Sequence, residues 1–140
     1  MGNGVLAAVG VLLVDNGKLL LGRRIRRDEF EGWQCPGGFI RSNEEISAAA
    51  QRCCLQKAGV QINHIEQGPF TNNIFHSSTP IQHSVTLYTI AREFKVINSA
   101  LYTDIQLQWQ WFNIDEIPSQ KFQPLKQLLE SYDLKSLLGL

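Results

Sequence analysis

Surplus charge of either sign is missing from this 140-residue chain: 13 Lys and Arg stand against 13 Asp and Glu, for a formal net charge of zero. Nonspecific affinity for nucleic acid comes from excess basic charge, so a general polyanion binder is disfavoured. Long apolar runs are missing too. The longest, residues 4–14, falls well short of the roughly 20 residues a membrane helix needs. It carries no basic leader and ends in Asp15-Asn16-Gly17, so it reads as the arm of a hairpin rather than as a signal peptide. Leu6 stands where a myristoylation signal wants Ser or Thr. Cysteine is scarce and odd in number, with three in all, which offers no disulfide framework and suggests a reducing, cytoplasmic setting. Charged residues make up only 19% against 44% hydrophobic ones, which is too little charge for disorder and enough apolar material for a core. Repeats, low-complexity tracts and linkers are likewise absent. Residues 1–140 therefore read as one ordinary domain.

What is there begins with a hairpin. Residues 5–14 and 18–23 flank Asn16-Gly17, the dipeptide suited to a type I′ turn with both residues at positive φ. Both arms are nearly continuous in Val, Leu and Ala, as expected of strands buried on two faces. A charged stretch, 23–38, follows and ends in Cys35-Pro36-Gly37-Gly38. Ser42 and Glu45 have capping-box spacing, and Gly59 is placed to stop the helix they open. Ile46, Ala50, Cys54 and Ala58 make a narrow apolar stripe at i, i+4 spacing, predicted to pack on a sheet. Further strands are expected over 60–66, 84–94 and 105–111. In the last of these Ile105, Leu107, Trp109 and Trp111 alternate with glutamines. Phe122, Leu125, Leu128, Leu129 and Tyr132 predict a final amphipathic helix. The fold class is α+β, a mixed sheet between helices in an α-β-α sandwich.

From Gly38 the chain runs five residues to Glu44, seven more to Arg52 and six more to Gly59, followed by an apolar Val60. Upstream lie the hairpin end Leu21-Gly22-Arg23-Arg24 and the Pro-Gly-Gly turn. Downstream a Trp-Gln-Trp-Phe strand leads into Asp115-Glu116-Ile117-Pro118. This frame resembles the Nudix box, the loop–helix–loop signature of the Nudix hydrolase superfamily. With its flanks the resemblance covers nearly the whole chain. It is nearest to the small MutT-like nucleoside-triphosphate pyrophosphohydrolases, and implies the Nudix fold.

The resemblance stops short at the catalytic face. The family places glutamates after the box arginine, and they hold Mg²⁺ or Mn²⁺ against a diphosphate; this chain has Cys53, Gln56 and Lys57 there. These positions share one helical face, predicted to turn toward a cleft. Hard divalent cations want charged oxygen donors, which a thiol, an amide and an ammonium do not supply. No metal ligand is therefore assigned. Glu44 and Arg52 survive as box positions; their family counterparts support and orient the catalytic carboxylates. Without those carboxylates they read here as a local ion pair tying helix to loop. By the same carry-over Arg24, Gln34, Gly37, Gly38 and Thr86 would line the ligand pocket, with Phe122 and Leu125 near a base.

Lys57 has two readings: a solvated lysine on an abandoned face, which we prefer, or a point charge standing in for the missing cation. Arg23, Arg24, Arg26 and Arg27, followed by Asp28, Glu29 and Glu31, read as a solvated loop of mixed sign. The cysteines, with His64, His76 and His83, show no zinc-type spacing and read as buried thiols. Glu66, Glu93, Glu116 and the acidic stretch 28–31 are the carboxylates left to recruit a metal from elsewhere. The functions implied are hydrolysis of a nucleoside diphosphate linked to another group, weakened or lost with the glutamates, or else a nucleotide-binding pseudoenzyme or a protein-interaction scaffold. The expected partner is a small nucleotide-like molecule, not nucleic acid or a membrane, and the resemblance admits a homodimer.

Overall fold

The computed structural model describes residues 4–102 and 108–140. Strand β1 (Leu6–Asp15) turns through Asn16 and Gly17, at φ 51° and 74°, into β2 (Lys18–Arg26), as the Asn-Gly turn requires. A second hairpin follows where a loop was expected: Arg27 and Asp28 also take positive φ, 54° and 63°, and return the chain as β3 (Glu29–Gln34). No glycine marks this turn, so the arginine-rich stretch hid a strand pair. β1 and β2 hydrogen-bond only at the tip, Val14 to Leu19 and Asp15 to Lys18, and then part. β3 takes up the edge of β2, while β4 (Gly37–Phe39) pairs with β1 at residues 8–10.

Helix α1 (Ile46–Ala58) follows β4, and Gly59 closes it at φ 70°. A Cβ on Gly59 would lie 2.2 Å from the carbonyl oxygen of Asn98, so both backbone conformation and crowding demand glycine there. The expected capping box is not formed: Glu45 is the N-cap residue, without a side-chain cap bond. The acidic side chain that matters is Glu44, which accepts from the Arg41 amide at 3.0 Å.

β5 (Val60–Asn63) pairs with β8 (Glu93–Val96) in a two-stranded ribbon. Between them β6 (Glu66–Phe75) and β7 (Gln82–Ala91) extend the main sheet, β7 lying parallel to β1. β9 (Trp109–Asn113) joins β2 on its other edge. Of the alternating segment 105–111, residues 105–107 lie outside the described residues. Four-residue α2 (Ser99–Tyr102) precedes that gap, and α3 (Gln123–Ser131) and α4 (Leu134–Leu138) complete the chain.

Alternate residues of the first strands serve two cores, which explains their continuous apolar character. Val9, Val11, Leu13 and Leu20 pack with Ala49, Ala50, Cys53, Cys54 and Ala58 of α1. Leu12, Val14, Leu19 and Leu21 pack with Leu125, Leu128, Leu134 and Leu138 on the other side. The mixed sheet thus lies between helices, as expected. Of the predicted stripe on α1, Ala50, Cys54 and Ala58 are buried; Ile46 is 43% exposed, and Ala49 and Cys53 widen the buried face to one side. Among the described residues no helix is long and apolar enough to cross a membrane.

Candidate functional site

Where β1 and β2 part, a cleft of about 740 Å³ opens against β4, β7 and the start of α3. Arg24, Gln34, Gly37, Gly38, Thr86, Phe122 and Leu125 all line it, together with Lys57. Residues distant in sequence meet here because β7 lies beside β1, with Thr86 next to Ala8 and Tyr88 next to Gly10. Glycine is required at position 10: a Cβ would lie 2.6 Å from the Tyr88 ring. Glycine at 37 lets β4 close onto β1, since a Cβ would come within 2.2 Å of the Val9 carbonyl oxygen.

The cleft is cationic. Arg24, Arg26, Arg27 and Lys57 line it against the carboxylates of Glu29 and Glu31. Arg24, Arg26 and Arg27 therefore sit on β2 and the turn to β3, at the cleft wall, while Arg23 lies over Phe30. The stretch is of mixed sign and largely exposed, as expected, but it is a strand pair and not a loop. Arg24 is braced: its Nε donates to Glu31 at 2.9 Å, Nη1 lies 3.5 Å from Gln34 Oε1, and its guanidinium covers the Phe122 ring at 4.1 Å. Phe75 and Phe122 stack with centroids 5.7 Å apart and, with Leu125, form an apolar wall suited to a flat ring.

At the other end α1 grips β4. The Lys57 ammonium donates to the Gly37 carbonyl, and Arg52 Nη2 donates to the Phe39 carbonyl at 2.9 Å. Arg52 also forks onto Glu44, Nε to Oε2 and Nη2 to Oε1, each at 2.8 Å. This is the ion pair between helix and loop that the residues suggested. The Arg52 and Arg41 bonds hold the Glu44 carboxyl well down, from 4.5 to about 2. Neither Glu44 nor Arg52 lines the cleft.

The three altered box positions do not share one environment. Lys57 is exposed in the cleft, and Gln56 is exposed with Oε1 3.5 Å from Arg52 Nη1. Cys53 is in the core, its Sγ beneath Gly38, where it would lie 3.1 Å from an added Cβ. The expectation that Cys53 faces the cleft is therefore corrected: the helix turns it inward under the glycine loop, beside Ala49, Ala50 and Cys54. Burial pushes the Cys35 thiol up to about 12 and raises Cys54 as well.

This donor set does not fit Mg²⁺ or Mn²⁺. It consists of a buried thiol, an amide oxygen facing an arginine, an ammonium, and a glutamate whose two oxygens are engaged by Arg52 and the Arg41 amide. Of the carboxylates left to recruit a metal, Glu29 and Glu31 line the cleft, Glu31 engaged by Arg24, and Glu66 does not line it. Glu93 lies 3.3 Å from His64, and Glu116 accepts from Asn113 at 2.7 Å. Among the described residues no three His, Cys, Asp or Glu side chains are grouped to hold a metal.

The sequence reading missed Phe75 and Ser84 as lining residues, and missed the strand that carries Phe75. Gly68-Pro69 near its start looks like a turn, and its inward positions Thr71 and Asn73 are polar, so no apolar alternation announces it.

Comparison with known proteins agrees with this architecture. A MutT NUDIX hydrolase from Burkholderia pseudomallei superimposes with a TM-score of 0.73 at 19% identity, over 93% of this chain and 100% of that one. A NUDIX hydrolase from Nitrosomonas europaea gives 0.71 at 20%, over 94% and 90%. The NUDIX domain of Shewanella oneidensis NrtR, complexed with ADP ribose, gives 0.63 at 23%, over 91% and 86%. At such identities these likenesses speak for the fold alone. The sequence profile of the NUDIX domain matches residues 5–132, and on that match the chain belongs to the NUDIX family.

Proposed function

We propose that this protein is a nucleotide-binding NUDIX domain, residues 1–140 acting as one unit, that takes a nucleoside diphosphate or its conjugate into the cleft with little or no metal-dependent cleavage. The observation that carries the reading is Lys57. Its ammonium has three N–H donors, and Gly37 is its one hydrogen-bond partner among the described residues. The others are available to an anion beside the glycine loop, in a cleft already rich in arginine. In this reading a fixed positive charge does for the phosphates what a bound divalent cation does in metal-dependent relatives, while among the described residues no group of carboxylates is placed to hold a metal and activate a water. The stacked Phe75 and Phe122 supply a surface for the base. ADP ribose, the ligand of the Shewanella neighbour, combines an aromatic base with a diphosphate and is the natural first probe.

The test is calorimetric titration with ADP ribose in EDTA and then in Mg²⁺ or Mn²⁺, with release of AMP and ribose 5-phosphate followed in parallel. Binding that persists in EDTA, without product release, is the expected result. Rapid metal-dependent product release would overturn it.

A further inference from the structure

Behind the aromatic wall a chain of side-chain amides fixes the polarity of a hydroxyl in the cleft. Gln127 Nε2 donates to the Asn72 carbonyl at 2.9 Å. A carbonyl can only accept, so this bond sets which end of the Gln127 amide is nitrogen. Gln123 is set likewise by the Ile74 carbonyl at 2.8 Å, and its Nε2 also approaches Gln127 Oε1 at 3.4 Å. Gln127 Oε1 is therefore an acceptor, and Asn73 Nδ2 donates to it at 2.6 Å. Asn73 is fully buried, and with its nitrogen so used its Oδ1 faces the sheet. There the hydroxyls of Thr86 and Thr71 donate to it at 2.9 and 3.2 Å.

Thr86 lines the cleft, yet its single proton is spent on Asn73. Only lone pairs remain for a ligand. Reversing the relay would set amide oxygens against two backbone carbonyls, the one at Ile74 partly buried and the one at Asn72 nearer the surface, and would lose both hydrogen bonds at once. The relay ends on α3, the helix that also carries Leu125 and has Phe122 as its N-cap residue, so aromatic wall and hydroxyl are held by the same element.

We propose that Thr86 is a specificity-determining residue that presents an obligate acceptor, so that the cleft prefers bases carrying an exocyclic amino group over their keto counterparts. An amino group donates to the Thr86 lone pairs; a keto oxygen meets them with lone pairs of its own and leaves both groups unpaired. This rests on the nucleotide-binding reading and names the ligand class within it.

The experiment measures ADP against IDP and CDP against UDP, in EDTA, for wild type, Thr86→Val and Thr86→Ser, with thermal melts to establish folding. Wild type is expected to favour each amino base by about tenfold or more. Thr86→Val, which keeps the shape and removes the acceptor, brings both ratios near one, and Thr86→Ser retains them. The wild-type ratios decide without any variant: equal affinities for amino and keto partners overturn the relay while leaving nucleotide binding intact. Discrimination that survives in folded Thr86→Val overturns the role of Thr86. If none of the four nucleotides binds, this inference and the reading beneath it fall together.

Discussion

Glu44 is held as a carboxylate by the Arg52 fork and the Arg41 amide, which take its pKa from 4.5 to about 2. A depressed acid stabilises the fold above its ordinary pKa and loses that contribution as pH falls through the depressed value. The window is therefore pH 4.5 down to about 2. Melting temperature followed across this range should fall in wild type, and Glu44→Gln should begin lower and fall less. Parallel curves would mean the fork is not coupled to stability. The pair was legible at the residue scale through the resemblance, because Glu44 and Arg52 keep their box positions where the carboxylates they would support are gone. The surroundings of Lys57 were not legible. Its partner is a backbone carbonyl on β4, and no pattern of side chains announces a carbonyl.

At the scale of elements, α1 shows where periodicity misleads. A thirteen-residue helix with five small or thiol side chains turned inward has a weak apolar contrast, and the choice of inward face depends on what lies over it. β4 lies over it, with the tight Gly37-Gly38 pair, so Cys53 goes under the glycines and Ile46 stays outside. Rebuilding the family's glutamates is accordingly not a surface change. Cys53→Glu should cost about 2 kcal/mol or more, since a larger ionised group enters an apolar site. Cys53→Ala should cost about 1 kcal/mol. Urea unfolding of the two variants compares them, and equal midpoints would contradict the buried placement. The hairpins divide in the same way. Asn16-Gly17 declared its turn, whereas Arg27-Asp28 takes positive φ at both positions without a glycine, so β3 went unseen.

For the whole molecule the architecture was readable because two periodicities and one spaced motif agreed: continuous apolar strands, helices bearing one apolar face, and the frame from Gly38 to Gly59. The cleft was readable only through family resemblance, since its walls come from β1, β2, β3, β4, β6, β7, α1 and α3, and no local pattern brings them together. Its chemistry follows from charge. Four cationic side chains against two carboxylates favour an anionic ligand even though the chain as a whole is neutral. The central claim is that Lys57 supplies the positive charge for which a metal ion would otherwise be needed. The most direct measurement is the affinity for ADP ribose in EDTA of wild type and Lys57→Glu, an exposed substitution that leaves both cores untouched. The account predicts metal-independent binding in wild type and a loss of about tenfold or more in Lys57→Glu. Equal affinities, or wild-type binding that appears only when Mg²⁺ is added, would contradict it.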